Sequence, residues 1–202
     1  MSQLEKKSGT VRKNGKISYV PQEAFLLNAT IRENICFGVE YDYDKFEKVL
    51  DICELRSDLS ILPGGDMTEI GERGINLSGG QKQRVSLARA VYSDSDIYLV
   101  DDALSALDAY VGKRIWDNVF AIEWKNKTIV LVTHALQYLK FCDRIGLVVD
   151  GKVAAIDDYS QIRKHHDYLN YIKEVELELE KKTNEEEVKK GQSKSIVMKS
   201  PC

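Results

Sequence analysis

The sequence predicts an α/β fold with a parallel sheet at its centre, on three observations. Ile97-Tyr98-Leu99-Val100 and Thr128-Ile129-Val130-Leu131-Val132-Thr133 are short apolar and β-branched runs of the length expected for buried strands. Both end on chemistry: Asp101-Asp102 follows the first and His134 the second. Polar groups at the carboxyl ends of parallel strands are where open α/β sheets bind ligands. The third observation is the segment before the first run, where Ser78 is a good N-cap and Gly79-Gly80 lets a ligand approach the backbone. A helical pattern with apolar Val85, Ala88 and Val91 then begins at once. The free N–H groups of such a helix start attract phosphate.

The bulk properties bound the rest. The 202 residues, 43% hydrophobic and 30% charged, suffice for one domain with a core and a polar appendage, divided as 1–164 and 165–202. A net charge of -3 gives no reason to expect nucleic acid as a partner. Cys36, Cys53, Cys142 and Cys202 lack metal-ligand spacing and read as reduced thiols, and Met1-Ser2-Gln3-Leu4-Glu5-Lys6 is not a signal peptide. No apolar run approaches the roughly 20 residues that span a bilayer.

In chain order, Gly9-Thr10-Val11 and Ile17-Ser18-Tyr19-Val20 flank Lys13-Asn14-Gly15-Lys16, an Asn-Gly hairpin signal, and Pro21 stops the second strand. Phe25-Leu26-Leu27 is an apolar patch of the kind that marks a partner surface. Residues 44–55 carry Phe46, Val49, Leu50 and Cys53 at helical spacing, with Asp42 and Asp44 at the start. A small helical subdomain is placed at about 31–91. Leu62-Pro63-Gly64-Gly65-Asp66 is a turn, and Glu69 and Glu72 read as solvated charges before the Ser78 turn. Asp108 caps a helix over 109–120. Asp150-Gly151 joins two short strands through a type I′ turn, and the globular part ends soon after Ile162. From His165 the composition shifts to Glu and Lys, predicting a solvated helix or coil that becomes a disordered tail, with Ser193, Ser195 and Ser200 able to accept phosphate.

Leu77-Ser78-Gly79-Gly80-Gln81 and an apolar strand ending in Asp101 together resemble the signature loop and Walker B strand of ATP-binding-cassette (ABC) proteins. The resemblance runs from about Ser8 to Asp157 and includes Tyr19-Val20-Pro21-Gln22 and Ile31-Arg32-Glu33-Asn34-Ile35. It implies an incomplete ABC-type P-loop NTPase domain: a parallel sheet core, a helical subdomain carrying the signature loop, and a charged tail. It further implies ATP and Mg²⁺ as cofactors. Asp101 and Gln22 would hold the metal, His134 would contact the γ-phosphate, and Ser78, Gly79, Gly80 and Gln81 would bind nucleotide across a head-to-tail dimer. Ala103 to Asp108 resembles the D-loop that crosses to the opposite nucleotide. Partners implied are a second nucleotide-binding domain and the transmembrane domains of a transporter, at the cytoplasmic face of a membrane.

Two departures qualify that expectation. No Gly-x-x-x-x-Gly-Lys-Ser/Thr occurs in the chain, and Ser8-Gly9-Thr10-Val11 resembles the stretch just downstream of that loop in the family. The resemblance therefore implies a fragment or a truncated paralogue, missing a strand from the middle of its sheet and inactive alone. Second, Asp102 stands where most members have Glu as general base, one methylene longer. That substitution, with Ala103-Leu104-Ser105-Ala106-Leu107-Asp108-Ala109 after it, resembles the first cassette of subfamily C, the multidrug-resistance-associated type, and implies slow hydrolysis with Asp102 and His134 as the catalytic pair. The readings kept beside an ATP-driven exporter are a soluble ABC ATPase acting on nucleic acid and a non-catalytic interaction module.

Overall fold

The structure, a computed structural model, describes residues 7–71 and 77–173. The approach to the Ser78 turn at 72–76, Glu72 included, and the charged tail at 174–202 with its three serines lie outside the described residues. The backbone divides into two compact units, Met1–Ala135 and Leu136–Cys202.

In the first unit, β1 (Ile17–Val20), β2 (Ile97–Asp101) and β3 (Thr128–Val132) form a parallel sheet in that order. Ile17 lies beside Ile97 and Val20 beside Val100, while Ile97 lies beside Thr128 and Asp101 beside Val132. All three strands therefore end at one edge, where Gln22, Asp101-Asp102 and His134 follow. The hairpin expected at Asn14-Gly15 does not form. Residues 7–16 contain no strand, and Val11 is exposed, so this stretch has no apolar side to bury. Gly15 instead turns at φ 106°, where a Cβ would stand 2.7 Å from the Asp96 carboxylate. The Lys16 N–H donates to Asp96 Oδ2 (2.7 Å), and the Lys16 carbonyl accepts from Asp96 and Ile97 at 3.0 and 3.1 Å. The start of β2 thus sets the register of β1, in place of a tight turn.

Between β1 and β2 the chain is helical: α1 (Ile31–Cys36), α2 (Tyr43–Ile52), α3 (Arg56–Ile61), a 3₁₀ turn (Gly65–Met67) and α4 (Gly79–Tyr92). Each start has a local reason. Thr30 and Glu33 make a reciprocal capping box on α1, and Asp42 accepts from Lys45 N (2.8 Å) to cap α2. α2 buries Phe46, Val49 and Leu50, with Cys53 behind them, as its spacing predicts. Helix α4 packs on α1, α2 and β1 and buries Val85, Ala88 and Val91. After β2, Asp108 accepts from the N–H groups of Tyr110 and Val111 and starts α5 (Ala109–Ile115), as expected. Winding then widens to a π-helical stretch at Trp116–Glu123, reaching three residues past the expected end. The Trp124 N–H donates to the Val119 carbonyl (2.8 Å); Trp116 stacks on Phe120, Phe120 meets Trp124 edge to face, and Trp124 stacks on Tyr98 with ring centroids 3.9 Å apart.

The second unit has a 3₁₀ turn (Leu136–Phe141), the antiparallel pair β4 (Ile145–Val149) and β5 (Lys152–Asp157), and α6 (Tyr159–Ile162). Asp150 and Gly151 have φ 49° and 72°, the two positive values a type I′ turn needs. Residues 166–173 are helical, and Tyr168 is buried with Ile145 and Ile162, so packed side chains continue beyond residue 164.

Candidate functional site

The site is built from two groups of residues in the first unit, both depending on α4. The first is the turn at its start. Ser78 sits in extended backbone, its Oγ accepts from Gln81 N (3.2 Å), and Gln81 Oε1 accepts from Ser78 N (2.8 Å). That capping box leaves Gly79 and Gly80 at the first helical positions, where N–H groups have no acceptor within the helix. Because Ser78 Oγ accepts the Gln81 bond, its O–H proton stays available to donate outward. A Cβ on Gly79 would meet nothing, whereas one on Gly80 would stand 3.2 Å from the carbonyl oxygen of Ala106. One glycine of the pair is therefore open to a ligand, and the other admits the loop that leads to Asp108.

Gln81, expected to bind nucleotide, has both ends of its amide occupied within the chain. Its Oε1 holds Ser78 N and its Nε2 donates to Asp58 Oδ1 (3.0 Å).

The second group lies at the carboxyl edge of the sheet. Tyr19 of β1 donates its hydroxyl to Asp101 Oδ2 (3.1 Å). Burial and then this bond raise the Tyr19 pKa from its ordinary value. Asp102 adopts φ 45° immediately after β2 and is 5% exposed. A left-handed non-glycine residue costs on the order of 1 kcal/mol, least for Asp or Asn. Several bonds offset it: Asp102 N donates to the Val132 carbonyl (2.8 Å), and its own carbonyl accepts from Ser105 Oγ (2.7 Å). Its carboxylate oxygen Oδ1 accepts from the backbone N–H of His134 (3.3 Å). Asp102 and His134 are thus brought together by a bond to the His134 backbone. The His134 side chain itself is exposed.

Gln22 lies two residues past the end of β1 and is exposed. The residue that places it is Gln83 of α4, almost fully buried, whose Nε2 donates to the Pro21 carbonyl (3.0 Å). Sequence reasoning missed Gln83. Its signal was there, because Gln83, Leu87 and Val91 share one helical row, so a polar residue sits on the buried stripe. Asn34 and Arg89 were missed likewise. Asn34 Nδ2 donates to the carbonyls of Leu27 and Thr30, and Arg89 donates to those of Phe25 and Asn34, fixing the segment after Gln22. Burial lowers the Arg89 pKa. Phe25 is nevertheless 61% exposed and Leu27 40%, in keeping with an apolar patch.

Among the described residues no three His, Cys, Asp or Glu side chains converge to enclose a metal ion.

The chain is similar in sequence to known proteins. Residues 2–105 match the ABC transporter family. The chain is 52% identical over 162 residues to ABC transporter C family member 8 of Dictyostelium discoideum, covering 79% of this chain and 10% of that protein. It is 44% identical over 188 residues to ATP-binding cassette sub-family C member 3 of Rattus norvegicus, covering 92% and 12%. The human protein of the same name is 46% identical over 175 residues, covering 85% and 12%. The chain therefore spans about a tenth of the length of these relatives. With more than half its residues inside the family match and its Ser78 turn and Asp101 strand built as described, this chain belongs to the ABC transporter family.

Proposed function

We propose that this chain forms part of the nucleotide-binding cassette of an ATP-driven exporter of the subfamily C type, acting at the cytoplasmic face of a membrane. The observation that carries the reading is the Ser78 turn. It is capped by its own side chains, one glycine is open, and helix-start N–H groups beside a hydroxyl suit an anion. In the assembled protein Ser78, Gly79 and Gly80 donate to the γ-phosphate of a nucleotide held by a second cassette. Asp101 and Gln22 would hold Mg²⁺, which would neutralise phosphate charge, and His134 would contact the γ-phosphate. Asp108 shapes the loop that reaches the opposite nucleotide, and Gln81 acts by holding Ser78.

Asp102 stands at the general-base position with a short side chain, and its carboxylate is buried against the His134 amide. Both features favour slow hydrolysis at this edge. The sequence holds no Gly-x-x-x-x-Gly-Lys-Ser/Thr, and we infer that the 202 residues alone do not turn over ATP. The exposed Phe25 and Leu27 supply an apolar contact for transmembrane domains, and the net charge of -3 disfavours nucleic acid. The absent phosphate loop keeps one other reading in play, a non-catalytic module that contributes only its dimer-facing turn.

An immunoblot of membrane and soluble fractions, using an antibody against the tail, separates these readings. A membrane band far heavier than 22.9 kDa supports the exporter, and a soluble band at that mass supports the module. In the intact transporter, Asp102→Glu raises ATP turnover if the carboxylate is positioned as the base. Unchanged turnover would remove Asp102 from the catalytic pair.

A further inference from the structure

Helix α3 is short, buries none of its own residues and has no side-chain cap. Its polar tie to α4 is Asp58. One oxygen of that carboxylate accepts from Gln81 Nε2 (3.0 Å), and the other accepts from Arg84 Nε (3.2 Å) and from the Arg84 terminal nitrogen in a two-pronged pair. The Asp58 and Arg84 side chains are only 13% and 12% exposed. Gln81 has one amide with two different ends. With Nε2 fixed on a carboxylate, Oε1 must face the other way, where it accepts the Ser78 N–H. The carboxylate on α3 thus selects the rotamer of the residue that caps the Ser78 turn. Arg84 brings a partly buried positive charge within two turns of a helix start that favours negative charge, and Asp58 neutralises it there.

We propose that Asp58 is the positioning residue of the Ser78 turn: through Gln81 and Arg84 it holds Ser78, Gly79 and Gly80 in the arrangement that receives phosphate. The proposal rests on the reading of this turn as a phosphate donor, and it makes α3 the part of the helical segment whose displacement would loosen that donor set. Asp51, which pairs with the same helix through exposed Arg56, has no hydrogen bond to the turn among the described residues and serves as the control.

Amide hydrogen exchange on the full chain tests the positioning directly. In Asp58→Asn the amides of Ser78 and Gln81 lose at least ten-fold more protection than those of Leu87, Tyr98 and Leu99, whose change reports any general loss of stability. Asp51→Asn changes neither set. If Asp58→Asn does not fold, the double variant Asp58→Leu with Arg84→Met removes both buried charges together and still strips Gln81 Nε2 of its acceptor, so the same local increase is expected. Unchanged protection of Ser78 in the double variant, or a uniform increase across the sheet, overturns the proposal. In the intact transporter reconstituted in liposomes, with MgATP as the probe, Asp58→Asn raises the KM for ATP at least five-fold, and Asp51→Asn does not. Absence of ATPase in the unsubstituted transporter refutes the functional reading, while the exchange result alone then decides the role of Asp58.

Discussion

Strands β2 and β3 are neighbours, parallel, five residues long and almost equally apolar, but they end up in different surroundings. Tyr98 and Val100 of β2 are buried, and the Tyr98 ring stacks on Trp124. Val130 and Val132 of β3 are 52% and 56% exposed, and among the described residues β3 pairs only with β2. Burial of a valine is worth about 1.5 to 3 kcal/mol, so β3 leaves unused a stabilisation that β2 takes. A strand of continuous β-branched residues suits a sheet covered on both faces. β3 therefore has the sequence of a covered strand and the exposure of an edge. The comparison teaches that apolar content says a strand can be buried, and neighbours decide whether it is.

The largest expected effect is on the covered side. Tyr98→Ala removes a ring stacked on Trp124 and the hydroxyl that accepts from Ser95 N (2.9 Å), and should cost about 3 to 5 kcal/mol in urea unfolding. Val130→Ala in β3 should cost less than about 1 kcal/mol. Equal costs at the two positions would break the comparison.

Ion pairs follow the same division. Asp58→Asn strands the enclosed Arg84 and should cost about 3 kcal/mol. Asp51→Asn breaks an exposed pair and should cost less than about 1 kcal/mol. Thermal unfolding of the two variants side by side gives the ratio.

The open side has its own consequence. An apolar edge strand invites pairing with another chain. Val130→Lys should shift sedimentation profiles toward monomer while moving stability by no more than about 0.5 kcal/mol. A profile that does not respond would mean that β3 is not the adhesive edge.

Smallest is the pH effect of exposed carboxylates. The bond to Arg56 lowers the Asp51 pKa, and bonds from Thr30 lower that of Glu33. A depressed folded-state pKa means that the contribution is complete above the unfolded value, near 4, and is lost as pH falls through the folded value. The denaturant midpoint should therefore hold between pH 7 and 5 and slip slightly below 4, and Asp51→Asn should flatten part of that slope.

Local chemistry was legible in the chain. The caps at Ser78 and Asp108, the stop at Pro21, the buried face of α2 and the turn at Asp150-Gly151 need only their own neighbours, and each formed as read. The Asn14-Gly15 hairpin failed for the complementary reason. A turn signal needs a partner strand with something to bury, and Lys16 found a better arrangement on Asp96, 80 residues away. The hold of Gln83 on Pro21, and of Asn34 and Arg89 on the segment after it, likewise spans distances that no local pattern encodes.

By itself the sequence determined which residues are candidates for chemistry: the Ser78-Gly79-Gly80 turn, the Asp101-Asp102 strand end and His134 stand out because residue type and local periodicity mark them. Only the tertiary structure decided how they are held. It turned the Gln81 amide toward Ser78 by placing Asp58 behind it, and it turned the Asp102 carboxylate onto the His134 amide. The reason is that a side chain's rotamer and bonding partner depend on groups brought near by folding, whereas its charge and hydrogen-bonding capacity are its own.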